Sequence, residues 1–504
     1  MRPIPAGRVS LILIASSFLL ASCASAPDPV EPVVADESTF LGLAVAEATE
    51  LDDPLERASL YGRIAQGYRE LGEEPSMQSL ALTALELTRT VGATEQSIRT
   101  RLELAPLLAA AGNDTEALEA LESALAFAAG ASDGGVRASL LPLVANSALR
   151  SDEAARPILR RAVDEVYVVE QPRRRAEALI RVAEFYQAGD ETLSVTGLIQ
   201  QAIPAVRSVD EPYRRAALFA RLAVLAGQTN EKRLAQRLSE NTTAQIDAAG
   251  APADEAQADL LLLVVARLAA FGALEDAIGL VELFSRPSDV AFALASLVPH
   301  APSASARAEY LRRAGEQAGR VEDTALSIEA QIVVGFAYLE ADNAAAALPY
   351  AERALDSLVE APAVYERIEL AGRLAELYVR LDRLQAVRAL LLQAPDEFVR
   401  GTVAVRAADR LIVDGRLGVA DDFLTVALVA SDETTYLADG LRQDTAAGFA
   451  RTGSIRLAIR TIERMDDELL RARAVAEVAV LAEPAGLVTP IYRADLASVL
   501  AGRR

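Results

Sequence analysis

Tryptophan is absent from this 504-residue chain, and it contains one cysteine, one histidine and one lysine, Lys232. A lone Cys, Cys23, cannot form a disulfide within the chain. A lone His, His300, has no second His or free Cys to complete a metal or nucleophilic site. It stands in Leu297-Val-Pro-His-Ala-Pro302, where two prolines predict a helix end. No glycine-rich phosphate loop of either standard spacing occurs. No acid/base pair can be singled out among the 72 acidic residues, most of which are expected on solvated helix faces. The chain is therefore read as not an enzyme, with no metal and no cofactor. Positive charge is also short: the net charge is −22, which repels nucleic acid and makes it a poor partner. Aromatics make up 5%, and extended runs of β-branched and aromatic residues are missing, which argues against strands.

What is present is apolar and helix-forming. Hydrophobic residues make up 52%, mostly Ala, Leu and Val. Ala and Leu are strong helix formers and let helices pack closely. The run Leu260-Leu-Leu-Leu-Val-Val-Ala266 is seven residues between Asp259 and Arg267, far short of the roughly 20 that span a bilayer. It is expected to be a buried helix.

Residues 1–22 carry Arg2 and Arg8, then the apolar run Leu11–Leu20, too short for a spanning helix. They end in Leu20-Ala21-Ser22-Cys23. This resembles the lipobox of bacterial lipoproteins, in which a signal peptide is cut before the Cys. The resemblance implies a signal peptide over 1–22, acylation of Cys23 (palmitate among the chains), and attachment to a membrane through the N-terminal lipid. Ala24, in place of the Asp that retains such proteins at the inner membrane, implies the outer membrane, facing the periplasm. Residues 23–39 hold three prolines and four acids without helical period and read as an extended tether.

From about residue 40 a nine-residue phrase recurs. Arg175-Ala-Glu-Ala-Leu-Ile-Arg181-Val-Ala183 is one copy, and Arg57–Ala65, Arg215–Ala223, Arg367–Ala375 and Arg400–Ala408 are others. Its first residue falls at 57, 97, 137, 175, 215, 257, 290, 327, 367, 400, 438 and 471, with steps of 33 to 42 residues. Each step has room for two helices and two short turns. The eighth residue is apolar and mostly branched, as at Ile64, Val182 and Leu374, and the ninth is small in most units, as at Ala65, Ala183 and Ala375. Pro54, Pro172 and Pro212 each stand three before the opening Arg, where Pro fits a first helical turn. The second half of a unit reads Gly112…Ala117…Leu121…Ala124-Leu125, repeated at Gly415…Ala420…Leu424…Ala427-Leu428, with Asp342 in the glycine's place in another unit. The glycine ends one helix in a left-handed turn, and steps of four and three place the other residues on one face of the next.

This pattern resembles the tetratricopeptide repeat, whose turn glycine, small residue and Ala…Ala-Leu it matches, with Tyr68, Tyr338 and Tyr378 three after the small residue. The family's bulky aromatic near the start of the first helix is usually missing. The expected fold is all-α, a superhelical solenoid of about twelve antiparallel helix pairs, tetratricopeptide-like, with HEAT-type repeats as the alternative geometry. The array is expected over residues 40–484, with 485–504 as a C-terminal capping helix.

The second arginine of the phrase is the one recurrent polar constellation: Arg63, Arg181, Arg221, Arg373 and Arg406 share a repeat position. They lie about 100° from the branched residue that follows, away from the core. Arg181 has Glu177 and Glu184 within a helical turn, and Arg373 has Glu369 and Glu376; Arg63 and Arg221 lack such neighbours. These five are the candidate partner-binding residues, and the unanswered Arg63 and Arg221 are expected to meet carboxylates of the partner. The opening arginines point nearer the inter-repeat seam, toward carbonyls or acids of the preceding helix. The expected function is a membrane-anchored periplasmic scaffold that binds a peptide or protein in the groove of its superhelix. The alternative is an accessory ligand-binding component of an envelope transport or assembly machine.

Overall fold

A computed structural model describes residues 36–189, 192–358, 364–434 and 437–502, without the side chains of 192–194 and 364–367. The segment 1–22, Cys23 and the tether up to residue 35 lie outside the described residues. No strand occurs among those described. The chain opens with α1 (Phe40–Thr49). Eleven hairpins follow, each an A helix and then a B helix. They are α2 (Pro54–Leu71) with α3 (Glu74–Val91), α4 (Glu95–Ala110) with α5 (Asp114–Gly130), and α6 (Gly134–Arg150) with α7 (Arg156–Tyr167). Next come α8 (Pro172–Ala188) with α9 (Thr192–Arg207), α10 (Pro212–Gln228) with α11 (Lys232–Ala249), and α12 (Glu255–Phe271) with α13 (Leu274–Val281). Then come α14 (Pro287–Leu297) with α15 (Ala304–Ala318), and α16 (Thr324–Glu340) with α17 (Ala344–Leu358). The last are α18 (Val364–Arg380) with α19 (Leu384–Leu392), α20 (Glu397–Val413) with α21 (Leu417–Glu433), and α22 (Ala438–Thr452) with α23 (Ile455–Glu463). The chain closes with α24 (Glu468–Ala482) and α25 (Pro490–Ala501).

Local chemistry fixes the helix ends. Asp53, Thr94, Asp133, Asp254, Asp323, Asp396 and Asp467 accept first-turn N–H groups of A helices as N-caps. Pro54, Pro172 and Pro212 occupy the first turn, where no donor is lost. Between A and B helices one residue turns left-handed: Gly72, Gly112, Gly272, Gly415 and Gly453 in five units. Asp342, Asp382 and Asn230 do so in three others, at φ of 56°, 56° and 62°. Asn and Asp tolerate this conformation better than other side chains.

All twelve copies of the phrase fall on A helices, from α2 to α24. The eighth-position residues Ile64, Val144, Val182, Leu222, Val264, Leu374 and Val478 are fully buried, and so are the small residues Ala65, Ala183, Ala223, Ala375, Ala408, Ala446 and Ala479. The core runs as two abutting clusters, with α10 and α16 contributing to both. Within Leu260–Ala266, Leu261, Val264 and Val265 are buried in α12 while Leu263 is 48% exposed. No described helix is long and apolar enough to cross a membrane.

The opening arginines close the end of the preceding helix. Arg57 donates to the carbonyl of Leu51, Arg137 to those of Ala129 and Ala131, Arg215 to that of Val209 and Arg400 to that of Leu391. Three units without that Arg use the residue one turn later. Arg101 reaches the Thr88 carbonyl, Gln331 that of Ala318 and Arg442 that of Ser431. The last-turn carbonyls of a helix have no intrahelical donor, so a side chain from the next helix satisfies them.

The array closes on itself. Each A helix packs on the next through the whole series, and α24 packs on α2. The B position beside α24 is filled by α1, from the other end of the chain, which packs on α24 and α2 as an ordinary B helix packs on its own and the following A helix. Four polar ties hold this seam. Arg471 Nε donates to Glu47 at 2.6 Å, and Glu483 accepts the Leu41 N–H at 2.7 Å. Arg473 pairs with Glu56 at 2.7 Å and Arg63 with Glu477 at 3.5 Å. The solenoid of helix pairs is thus a ring of twelve units, the last assembled from both ends of the chain. α25 packs on α23 and α1. Because A helices meet one another all around and B helices touch one another little, the A helices line the shorter, inner perimeter.

Candidate functional site

The stripe of each A helix that faces away from its B helix looks toward the ring centre. Ion pairs between successive A helices run along it: Arg373 with Glu329 at 2.6 Å, Arg406 with Glu369 at 2.9 Å, Arg451 with Asp409 at 2.8 Å, and Arg221 with Glu184. Arg63 joins the same series across the seam.

The structure therefore places the five candidate arginines at one level of the ring, but pairs them differently from sequence proximity. Arg63 and Arg221, which have no acid within a turn of their own helix, are answered by Glu477 and Glu184 from the neighbouring helix. Arg373 takes Glu329 of the neighbouring helix rather than Glu369 or Glu376 of its own. Arg181, with Glu177 and Glu184 close in sequence, makes no ion pair or hydrogen bond among the described residues. Glu184 turns to Arg221, and Glu177 to Arg173 and Arg214. The neighbouring helix that would supply an acid to Arg181 is α6, and it contains no Asp or Glu.

Around Arg181 the inner face forms a cavity of about 340 Å³ across α6, α8, α10 and α12. Arg174, Glu177, Ala178 and Arg181 line it from α8 at helical spacing, and Arg214, Ala217, Leu218 and Arg221 from α10 in the same register. Leu260, Leu263 and Arg267 close it from α12. Arg267 is half-buried and donates to the Ala217 carbonyl at 2.9 Å. Burial, with the nearby Arg221 guanidinium, pulls its pKa down from the ordinary value. Arg267 is the residue that sequence reasoning missed; it sits at the end of the apolar run, outside the phrase. Its signal was the charge that ends that run two residues from the ninth position of its unit.

On α22 a carboxylate, Asp444, takes the repeat position of the candidate arginines. Asp444 lies near Glu477 and Asp409, and burial first, then these two carboxylates, pushes its pKa up against the opposing pull of Arg451 and Arg406. No group of three or more His, Cys, Asp or Glu among the described residues is placed to hold a metal ion. His300 is exposed at the end of a 3₁₀ turn, Val298–His300, whose Val298 is buried.

No family model and no curated protein matches the sequence. Solved structures similar to the chain include Ton1535 from Thermococcus onnurineus NA1, with 14% identity, 67% of this chain and 99% of that one covered, and a TM-score of 0.26. A circular tandem repeat protein with a novel repeat topology matches at 16% identity over 94% of this chain and 98% of that one, with a TM-score of 0.21. A signal transduction ATPase with numerous domains and a tetratricopeptide repeat sensor, from Pyrococcus horikoshii, matches at 12% identity over 83% and 66%, with a TM-score of 0.25. These comparisons overturn the expected membership among bacterial outer-membrane lipoproteins. None of the three is a lipoprotein. The signal peptide, the palmitate on Cys23, the lipid attachment and the outer-membrane, periplasmic location are withdrawn with it. They had rested on Leu20–Cys23, which lies outside the described residues.

Proposed function

We propose that the ring is an interaction scaffold that binds a peptide or protein segment against its inner surface, without catalysing a reaction on it. The observation that carries this reading is the continuous inner wall of twelve A helices, on which one repeat position carries an arginine in five units, at Arg63, Arg181, Arg221, Arg373 and Arg406. Twelve helices at the usual spacing of about 8–10 Å would give a round ring an axis-to-axis diameter of about 35 Å. Subtracting one helix width of about 10–12 Å leaves an opening of about 25 Å, wide enough for an extended segment or a helix. The partner-facing residues in this proposal are Arg63, Arg181, Arg221, Arg373 and Arg406. The glutamate partners of the other four are 25–56% exposed and can be exchanged for carboxylates of a bound chain at little cost, since exposed ion pairs contribute only about 0–1 kcal/mol, while Arg181 has no partner to give up among the described residues. Residues 40–484 act as the binding unit, with 485–504 as its terminal helix.

The test is mild crosslinking in cells of origin followed by affinity purification of the intact chain. A protein that crosslinks through lysine-reactive or photoreactive groups placed on the inner stripe, and not through the same groups on B helices, supports the reading. Turnover of a small substrate by the purified ring, with no crosslinked protein, contradicts it.

A further inference from the structure

We propose that the cavity between α6, α8, α10 and α12 is a binding site for a small amphipathic oxyanion, an organic carboxylate or phosphate with an apolar body. This goes beyond scaffolding and does not depend on a protein partner.

Three observations converge on one place. The first is charge. In a chain of net charge −22, five guanidinium groups line a single cavity, and Glu177 is the one acid among the lining residues. Three of the five have acids to answer them: Arg174 has Asp133, Arg214 has Glu211 and Glu177, and Arg221 has Glu184. The other two do not. Arg181 has no partner among the described residues, and Arg267 has a neutral carbonyl, that of Ala217. Two uncompensated guanidiniums facing one space set up an attractive potential for an anion. A planar guanidinium matches carboxylate and phosphate oxygens with paired N–H donors.

The second observation is the missing acid. Elsewhere on the inner face the equivalent arginine is neutralised by the preceding A helix, as Arg221, Arg373 and Arg406 are. At Arg181 that helix is α6, which offers Ala138 and Ser139 to the cavity instead. The site is thus an interruption in a repeated ion-pair series, open on the side where a carboxylate would otherwise stand. The third observation is the apolar wall. Leu260 and Leu263 face the cavity from α12, and Leu263 is 48% exposed. A volume of about 340 Å³ lies within the range of small-molecule pockets, roughly 300–1,000 Å³. The polar end of a ligand would meet Arg181 and Arg267 while its apolar body covers Leu260 and Leu263.

Calorimetric titration of the full chain with octanoate, octyl phosphate, octanol and inorganic phosphate separates the requirements. The expected result is saturable binding of one octanoate or octyl phosphate per ring. Octanol and inorganic phosphate should bind at least tenfold more weakly, because each lacks one half of the match. Tighter binding of octanoate identifies the carboxylate source, and tighter binding of octyl phosphate the phosphate source. Arg181→Ala, at an exposed and unpaired side chain, should weaken the preferred anion at least tenfold, as should Arg267→Ala. Arg267→Lys, which keeps the charge and a donor, serves if the alanine variant fails to fold. Arg312→Ala, at an exposed arginine of the B helix α15 outside the cavity, should leave affinity unchanged. The proposal is overturned by no saturable binding of either anion, by octanol binding as well as octanoate, or by unchanged affinity in the Arg181 and Arg267 variants.

Discussion

The seam between α24, α1 and α2 differs from every other junction in the ring by one thing, the lack of a connecting turn. At an ordinary junction the A and B helices are joined by a short turn on a left-handed residue such as Gly112 or Asp342. The chain itself keeps them together, and close-packed alanines, with an inner ion pair at junctions such as α18 with α20, complete the contact. At the seam, α1 reaches α24 from more than 400 residues away in sequence. Noncovalent contacts alone hold it, and the seam is correspondingly rich in them. Arg471 and Glu47 are 12% and 4% exposed, far more buried than the inner pairs such as Arg406 with Glu369, at 51% and 56%. What connectivity supplies elsewhere, a buried charge pair and a backbone N–H bound to Glu483 supply here.

The contrast can be broken most sharply at Glu47. Removing one partner of a buried ion pair strands the other charge, at a cost of about 3–5 kcal/mol. Glu47→Ala is expected to lose stability on that scale in chemical denaturation. Glu369→Ala, the exposed counterpart at an ordinary junction, should lose no more than about 1 kcal/mol. Equal losses would erase the distinction drawn between seam and junction.

A smaller effect is expected from packing. A Cβ on Gly67 would stand 2.8 Å from Leu41 Cδ2 and 3.1 Å from Val480 Cγ2, caught between two helices of the seam. At the ordinary junction a Cβ on Gly335 would meet only Leu377, whose Cδ2 lies 2.7 Å away at the end of a flexible side chain. Overpacking typically costs about 1–3 kcal/mol. Gly67→Ala should fall within that range, and Gly335→Ala below it, read as the difference in denaturation midpoint.

The smallest effect concerns pH, on the inner face next to the seam. Asp444 has its pKa raised in the folded ring by burial and by Glu477 and Asp409. The folded state therefore holds this proton more tightly than the unfolded chain, whose carboxyl titrates near 3.8. Stability from this group is present at low pH and is lost as pH rises from that value through the raised one. Asp444→Asn should remove that decline, so the variant gains on the wild-type ring as pH rises toward neutrality. A pH-independent difference between the two would contradict the assignment.

Much of the fold was legible because its constraints are local and repeated. The branched eighth residue and the small ninth specify a buried stripe whatever the neighbouring unit is, as Val182 and Ala183 illustrate. The turn glycine specifies a left-handed residue, and Asp342 betrayed the same turn without glycine. Closure was not legible, because it is a relation between the ends. The residues of α1, Phe40–Thr49, make a B-type helix with no A helix before it among the described residues, and α24 carries the phrase without the Gly…Ala…Leu…Ala-Leu sequence after it. Each oddity is slight alone, and only together do they spell one divided unit. The candidate site was half legible. The repeat position of the arginines placed them on one face, but side chains at helical spacing have two choices of partner. Stacking decided for the neighbouring helix: Glu184 lies three residues from Arg181 and yet binds Arg221. Which arginine remains free follows from α6 having no acid, a fact that matters only once α6 is known to lie beside α8.

The ring itself is tested most directly by a distance between its two ends. With Cys23 replaced by Ser, spin labels at the exposed positions Asp52 and Glu468 flank the Glu47–Arg471 contact by about one turn on either side. Pulsed electron resonance should then give a single narrow distance of about 15–30 Å, a span of a few helical turns. Twelve units stacked at about 8–10 Å each without closing would put the same labels more than about 50 Å apart, and that result would contradict the closed ring.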